Sequence, residues 1–273
     1  QATTGDANTV LGYNAFDSAV GLDNNTAVGY YALSTMSGSA GTDTHNTAVG
    51  YYAGIAVTTG IENTIVGSLA GDAINTGKRN TLMGYAAGGA INSADYNTLI
   101  GRSSGASITT GAFNTTLGSS ALYSNQTGVG SVAIGQGAGY SFTGGGGTFV
   151  GYEAGHGIAS ADTVMVGYNA GKRTVGSANV GIGYGALYGA SATAANNTGT
   201  SNTAVGQNAL RWMSKTIGST AIGAEAGYYT TGSANTFVGY QAGHGGTTSA
   251  PYSTGTNNVA VGKGALQTFT SGF

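Results

Sequence analysis

The chain has no cysteine, a single proline, and charged side chains at only 7% of its 273 positions. The missing cysteine excludes a disulfide-stapled scaffold and thiolate zinc sites. Near-absence of proline, with glycines that do not fall on every third position, excludes collagen. Scarce and scattered Lys and Arg, at a formal net charge of −2, leave no electrostatic footprint for nucleic acid. No apolar run approaches the roughly 18 residues of a spanning helix, so this segment is not expected to insert in a membrane. The chain opens at Gln1 without a signal-peptide pattern, which reads as a processed or excised fragment.

What is present is glycine, at 52 positions, alongside 40% hydrophobic residues and 17 tyrosines. That is too apolar and too neutral for a solvated, disordered coil. The order lies in an internal repeat. Asn25-Thr26-Ala27-Val28-Gly29-Tyr30-Tyr31-Ala32 returns as Asn46-Thr47-Ala48-Val49-Gly50-Tyr51-Tyr52-Ala53, and again from Asn235 to Ala242. Anchored on its central glycine, the motif occurs fifteen times from Gly12 to Gly262, with a period of 16 to 17 residues and three longer insertions.

Each column of the repeat has its own chemistry. The residue before the glycine is always aliphatic, from Leu11 to Val261, and the residue three before it is always Thr or Val. Two apart on a strand, these columns share a side. Their β-branched character predicts that this side faces the interior. Ala stands three residues after the glycine in fourteen copies, with Ser104 the exception. Asn stands four residues before it in eleven, suited to a corner and to hydrogen-bonded ladders between stacked coils. The invariant glycine marks positive φ or a close backbone approach.

Strands this close together leave no room for helical crossovers. The fold expected is all-β: a parallel β-solenoid of about fifteen coils in one repeat domain, residues 1–273. Stacked about 4.8 Å apart, fifteen coils make a rod on the order of 70 Å long. Longer turns are expected near 34–45, 188–201 and 244–257. Two aliphatic columns and an Ala make a small core for each coil. Association with further copies through the small Ala column is therefore expected, with a capped monomer as the alternative.

The columns Asn-Thr-Ala-Val-Gly-x-x-Ala resemble the YadA-like head repeats of trimeric autotransporter adhesins, and Ser131-Val132-Ala133-Ile134-Gly135 comes near that core. Copies such as Asn202 to Leu210 are also similar to repeats of phage tail fibres. The resemblance spans Asn8 to Leu266 and implies a left-handed β-roll, a homotrimer, and attachment to a host or target cell-surface glycan or protein. It places the protein outside the cell, in a virion tail fibre or on a bacterial surface. No coiled-coil stalk, anchor barrel or chaperone domain accompanies the repeats in this sequence.

Catalytic chemistry finds little support. Gly135, Gly137 and Gly139 mimic a phosphate loop, but neither a helix nor a Lys-Ser/Thr pair follows. The ten carboxylates form no repeated pair, no calcium loop and no placeable triad with Ser and His. No catalytic residue, metal or cofactor is assigned, and the chain is read as a non-enzyme. His156 and His244 share one register, five residues after their glycines and about 24 Å apart along stacked coils. They read as turn histidines. The glycine is followed by Tyr in eight copies, a ladder that either stacks on a ligand or covers a joint between chains. Arg211, Trp212 and Lys215 bring the only Trp and two cations together, and with Tyr228 and Tyr229 they form the candidate surface contact. A monomeric ice- or surface-binding solenoid is the alternative of another class. It needs an outward Thr array, whereas the Thr column here is expected to point inward.

Overall fold

The structure, a computed structural model, describes residues 5–39, 41–189, 197–246 and 253–270. These residues form an all-β parallel solenoid of about 13 turns, with no helix among them. Contacts divide the chain into two compact units, Gln1–Ala133 and Ile134–Phe273. Of the long turns foreseen, residues 40, 190–196 and 247–252 lie outside the described residues.

In the first unit the strands Thr9–Leu11, Thr26–Val28, Thr47–Val49, Thr64–Val66, Thr81–Met83, Thr98–Ile100 and Thr115–Leu117 pair in parallel, each with the next. Leu22–Asp23 and Thr42–Asp43 add a small second sheet. The second unit repeats the arrangement from Thr148–Val150 to Val259–Val261. Strand Val132–Ile134 carries the boundary. Every pairing sets like column on like column, so Thr47 lies beside Thr64 and Val49 beside Val66.

Which side faces inward is the reverse of the expectation. The middle residue of each strand is buried, from Ala27 and Ile65 to Phe149, Met165 and Phe237. Only Val10 of the first strand departs from this, at 44% exposure. The Thr column and the aliphatic column before the glycine both point outward, giving an exposed or half-exposed residue at either end of each strand. The Ala column is corrected as well. Ala53, Ala70, Ala87 and their counterparts between the terminal coils have no accessible surface and belong to the interior, so they form no contact face. Only Ala15 and Ala265, in the first and last copies, are partly exposed.

The turn explains why. The strand ends on the glycine at φ near +130°, and the residue two further on is left-handed, as in Tyr52 (φ 56°) and Leu69 (φ 57°). The Ala N–H then returns to the glycine carbonyl, at 3.3 Å for Ala70 and Gly67. This is the geometry of a type II turn, and it drives the Ala into the lumen. Ser104, the one exception, is buried too, and its hydroxyl bonds that of Thr116, which takes a strand-centre position in the next coil. Two hydroxyls placed together satisfy each other where either alone would be costly.

The lumen is filled by a trade in size. The position four after the glycine has positive φ and is occupied by Gly or a large apolar residue. Gly71, Gly88, Gly105, Gly155, Gly171 and Gly243 stand where a Cβ would collide with the bulky strand-centre side chain of their own or the next coil. At the small strand centres Ala27, Gly181 and Ala204, Leu33, Leu187 and Leu210 occupy that position, fully buried. At Ala48 and Ala221 the position is Gly54 and Gly227, and side chains of adjacent coils, Leu33 and Ile65 or Leu210 and Phe237, reach the space instead. Residues seven after the glycine, such as Val57, Ile74, Ile91 and Phe142, complete the core. Phe149→Ala is therefore expected to cost roughly 3–5 kcal/mol. Gly155→Leu alone should prevent native packing, while the double substitution should recover much of the loss by recreating the Gly181/Leu187 arrangement. Thermal unfolding of the three variants checks this, and equal damage from the double and single variants would contradict it.

The Asn ladder is present and buried. In the first unit Asn46, Asn63, Asn80, Asn97 and Asn114 succeed one another with no accessible surface. Each side-chain oxygen accepts the next Asn's backbone N–H at 3.0 Å and its amide at 3.1–3.2 Å. Each amide also donates to a turn carbonyl fourteen residues on, for example Asn63 Nδ2 to Gly77 O at 2.9 Å. The register position then passes to Ser131, Gly147 and Thr163, and Asn returns at Asn179 and Asn202. At Gly147 the rings of Phe142 and Phe149 occupy the space a side chain would need.

Candidate functional site

Two surfaces carry side chains that a fold of this kind does not need for its interior. The first is the outer face of the sheet. In each unit it presents Thr or Val and an aliphatic residue from every strand, with no charged residue in either column. Leu11 is 69% exposed, Leu117 51% and Ile222 43%. A parallel sheet is ordinarily covered on both sides. Here the lumen covers one side only.

The Tyr column adjoins this face, one residue past the glycine. Tyr13, Tyr30 and Tyr51 stack at 5.3 and 5.4 Å with planes within 14°, and Tyr152, Tyr168 and Tyr184 do the same at 5.1 and 5.5 Å. Because the coils set identical residues above one another, the ring faces are spent on each other. The ladder therefore presents edges and hydroxyls, and an internal ring has no free face for a sugar. Desolvation within the stack raises the Tyr30 pKa, and a hydrogen bond with Tyr52 raises that of Tyr51.

The second surface lies on the turn. The residue five after the glycine is Tyr140, His156, Lys172, Tyr188, Arg211, Tyr228 and His244 in successive coils of the second unit. All are half-buried. Backbone bonds hold the column in register: Ser141 N to His156 O at 2.9 Å, Arg173 N to Tyr188 O at 2.9 Å, and Trp212 N to Tyr228 O at 3.1 Å. Tyr140 stacks on His156 at 4.9 Å and Tyr228 on His244 at 5.3 Å. Arg173 and Arg211 both lie over the Tyr188 ring, at 5.0 and 4.6 Å. Lys172 is ion-paired with Glu153. Burial pushes the His156 pKa down, with Glu153 opposing and Lys172 reinforcing the shift.

Of the five residues singled out by sequence, four come together. Arg211 packs against Trp212 at 5.7 Å, and Tyr228 and Tyr229 meet edge to face in the next coil. Lys215 is exposed further along the same turn and makes no ion pair among the described residues. Sequence reading missed Tyr140, Lys172, Arg173 and Tyr188. The signal was the shared register of His156 and His244, which extends to every coil between them. No group of three or more His, Asp or Glu able to hold a metal occurs among the described residues.

No protein-family model, curated protein or solved structure matches the chain.

Proposed function

We propose that the chain is a non-catalytic segment of a homotrimeric surface fibre, a left-handed β-roll whose copies meet along the Thr/aliphatic face. The observation that carries this is the uncovered outer side of the parallel sheet. Aliphatic side chains are displayed coil after coil in each unit, with no charge among them, and exposed apolar surface of this kind marks a face that partners cover. The role is structural and adhesive, outside the cell, with the turns left free to touch a host or target surface. The tail-fibre-like form of Asn202 to Leu210 favours a phage fibre over the head of a bacterial adhesin. Light scattering on the native, unheated protein tests this. A mass near three times 26.6 kDa is expected, and a mass near 26.6 kDa overturns the trimer.

One observation favours a second reading. The Thr column points outward and runs unbroken in register through Thr47, Thr64, Thr81, Thr98 and Thr115. The geometric objection to an ice- or surface-binding solenoid is thereby removed. Thermal hysteresis from a single-chain species would install that reading in place of the fibre.

A further inference from the structure

Charge is distributed unevenly along the chain. Residues 1–133 hold three Lys or Arg against seven Asp or Glu, a balance of −4. Residues 134–273 hold five against three, a balance of +2, and the two add to the net −2. Four of those five cations, Lys172, Arg173, Arg211 and Lys215, fall on the turns of coils that carry the aromatic column. In the first unit the same register holds Asp17, Ser34, Ile55, Asp72, Gly89, Ala106 and Tyr123, with no cation and a single aromatic ring among them.

Within this stripe Arg173 and Arg211 stand apart. Among the described residues neither pairs with a carboxylate. Glu153 is taken by Lys172, and Glu225 by Gln241 and His244. Both guanidinium groups rest on Tyr188, and Arg211 is further fixed by a 2.8 Å bond from Nη1 to Asn208 Oδ1. A guanidinium attracted to a ring can still offer N–H donors to a bidentate acceptor such as a carboxylate. The pair is thus gathered beside one ring, half-buried, and without a carboxylate partner among the described residues.

We propose that the column from Tyr140 to His244 binds an anionic polysaccharide, with Arg173 and Arg211 gripping its carboxylates and the Tyr and His edges bonding its hydroxyls. The stacking decides between polyanions. Single-stranded nucleic acid is bound by aromatic faces open to bases. Here one face of each of Tyr140, His156, Tyr228 and His244 is taken by its stacking neighbour, and Tyr188 is taken by two guanidinium groups, so the column offers no succession of rings open on both faces. What remains is a row of hydrogen-bond donors, suited to carboxylate and hydroxyl.

The inference gives the attachment surface its ligand class but does not depend on the number of chains. The test is titration calorimetry of the full chain with polygalacturonate, its methyl-esterified form, and oligo-dT, with the solution mass recorded on the same samples. Polygalacturonate is expected to bind and to weaken as NaCl rises from about 50 to about 500 mM. Arg173→Gln/Arg211→Gln should lower affinity roughly tenfold or more, with circular dichroism and thermal midpoint unchanged. Lys78→Gln/Arg102→Gln, in the first unit, should bind as the parent does. Should the double variant unfold, Arg173→Lys/Arg211→Lys replaces it: the charge is kept, the bidentate fork is lost, and affinity should still fall. Undiminished binding by either folded variant overturns the proposal, as does equal binding of the esterified polymer or of oligo-dT. A single-chain sample that binds in the expected way sinks the trimer alone, and a trimer that does not bind sinks this proposal alone.

Discussion

Asn97→Ala is expected to destabilise the first unit by on the order of 3–6 kcal/mol, more than deleting a comparable surface side chain by several fold. The side chain is buried and spends nearly all its hydrogen-bonding capacity between coils, with one further bond to the Asp95 carbonyl of its own coil at 3.2 Å. Its oxygen accepts the backbone N–H and the amide of Asn114, at 3.0 and 3.1 Å. Its amide donates to Asn80 Oδ1 and to the Gly111 carbonyl, at 3.2 and 3.0 Å. Removing it strands groups above and below in a dry interior, at roughly 1–3 kcal/mol each. The chain contains its own milder variant. At Ser219 the hydroxyl still accepts the Asn235 N–H at 3.1 Å, but it cannot reach across to a turn carbonyl as an amide does. Asn97→Ser should therefore lose about half as much as Asn97→Ala. Urea unfolding, with hydrogen exchange at the flanking coils, reads both variants. Equal effects of Ala and Ser would contradict the ladder as described.

Gly101→Ala should be comparably damaging, for a different reason. The residue sits at φ +131°, and an added Cβ would meet the Gly118 oxygen at 2.5 Å and its carbonyl carbon at 2.6 Å. Those atoms are backbone of the next coil, itself bonded into the stack, so the neighbour cannot yield as a flexible side chain would. Gly262 separates strain from collision. It has φ +119° with nothing within 4 Å of the Cβ position. Gly262→Ala should cost only the conformational strain, roughly 1–3 kcal/mol. Gly101→Ala adds the steric conflict, for a total of roughly 3–6 kcal/mol. Thermal midpoints of the two variants give the comparison. A Gly262 variant as unstable as the Gly101 variant would mean that close stacking of the glycines matters little.

The repeat made the architecture legible. A glycine column, an Asn column and alternating strand residues at constant spacing leave few solutions other than stacked parallel coils. The inside and outside of the strands were not legible. A three-residue strand offers two sides, and alternation alone does not say which is buried. The uniform aliphatic column looks like a core, while the true core column varies from Gly181 through Ala204 to Phe149. That variation looks unconstrained until each strand centre is set against the residue six further along. Gly155 with Phe149, and Leu187 with Gly181, then show one volume divided two ways, while coils such as Ala48/Gly54 borrow volume from their neighbours. The candidate site was half legible. Arg211, Trp212, Tyr228 and Tyr229 are near one another in sequence, whereas Arg173 and Tyr188 join them only because coils stack in register.

The outward Thr/aliphatic face is the centre of the account, and Ile100→Glu tests it most directly. Ile100 ends the strand Thr98–Ile100, facing away from the lumen in a register shared with Met83 and Leu117. Light scattering of the parent and the variant, with circular dichroism on both, is the measurement. The expected result is a parent of about three chains and a variant of one chain near 26.6 kDa that keeps the same β-sheet spectrum. A variant that retains the parent's mass, or a parent that is already a single chain, would contradict it.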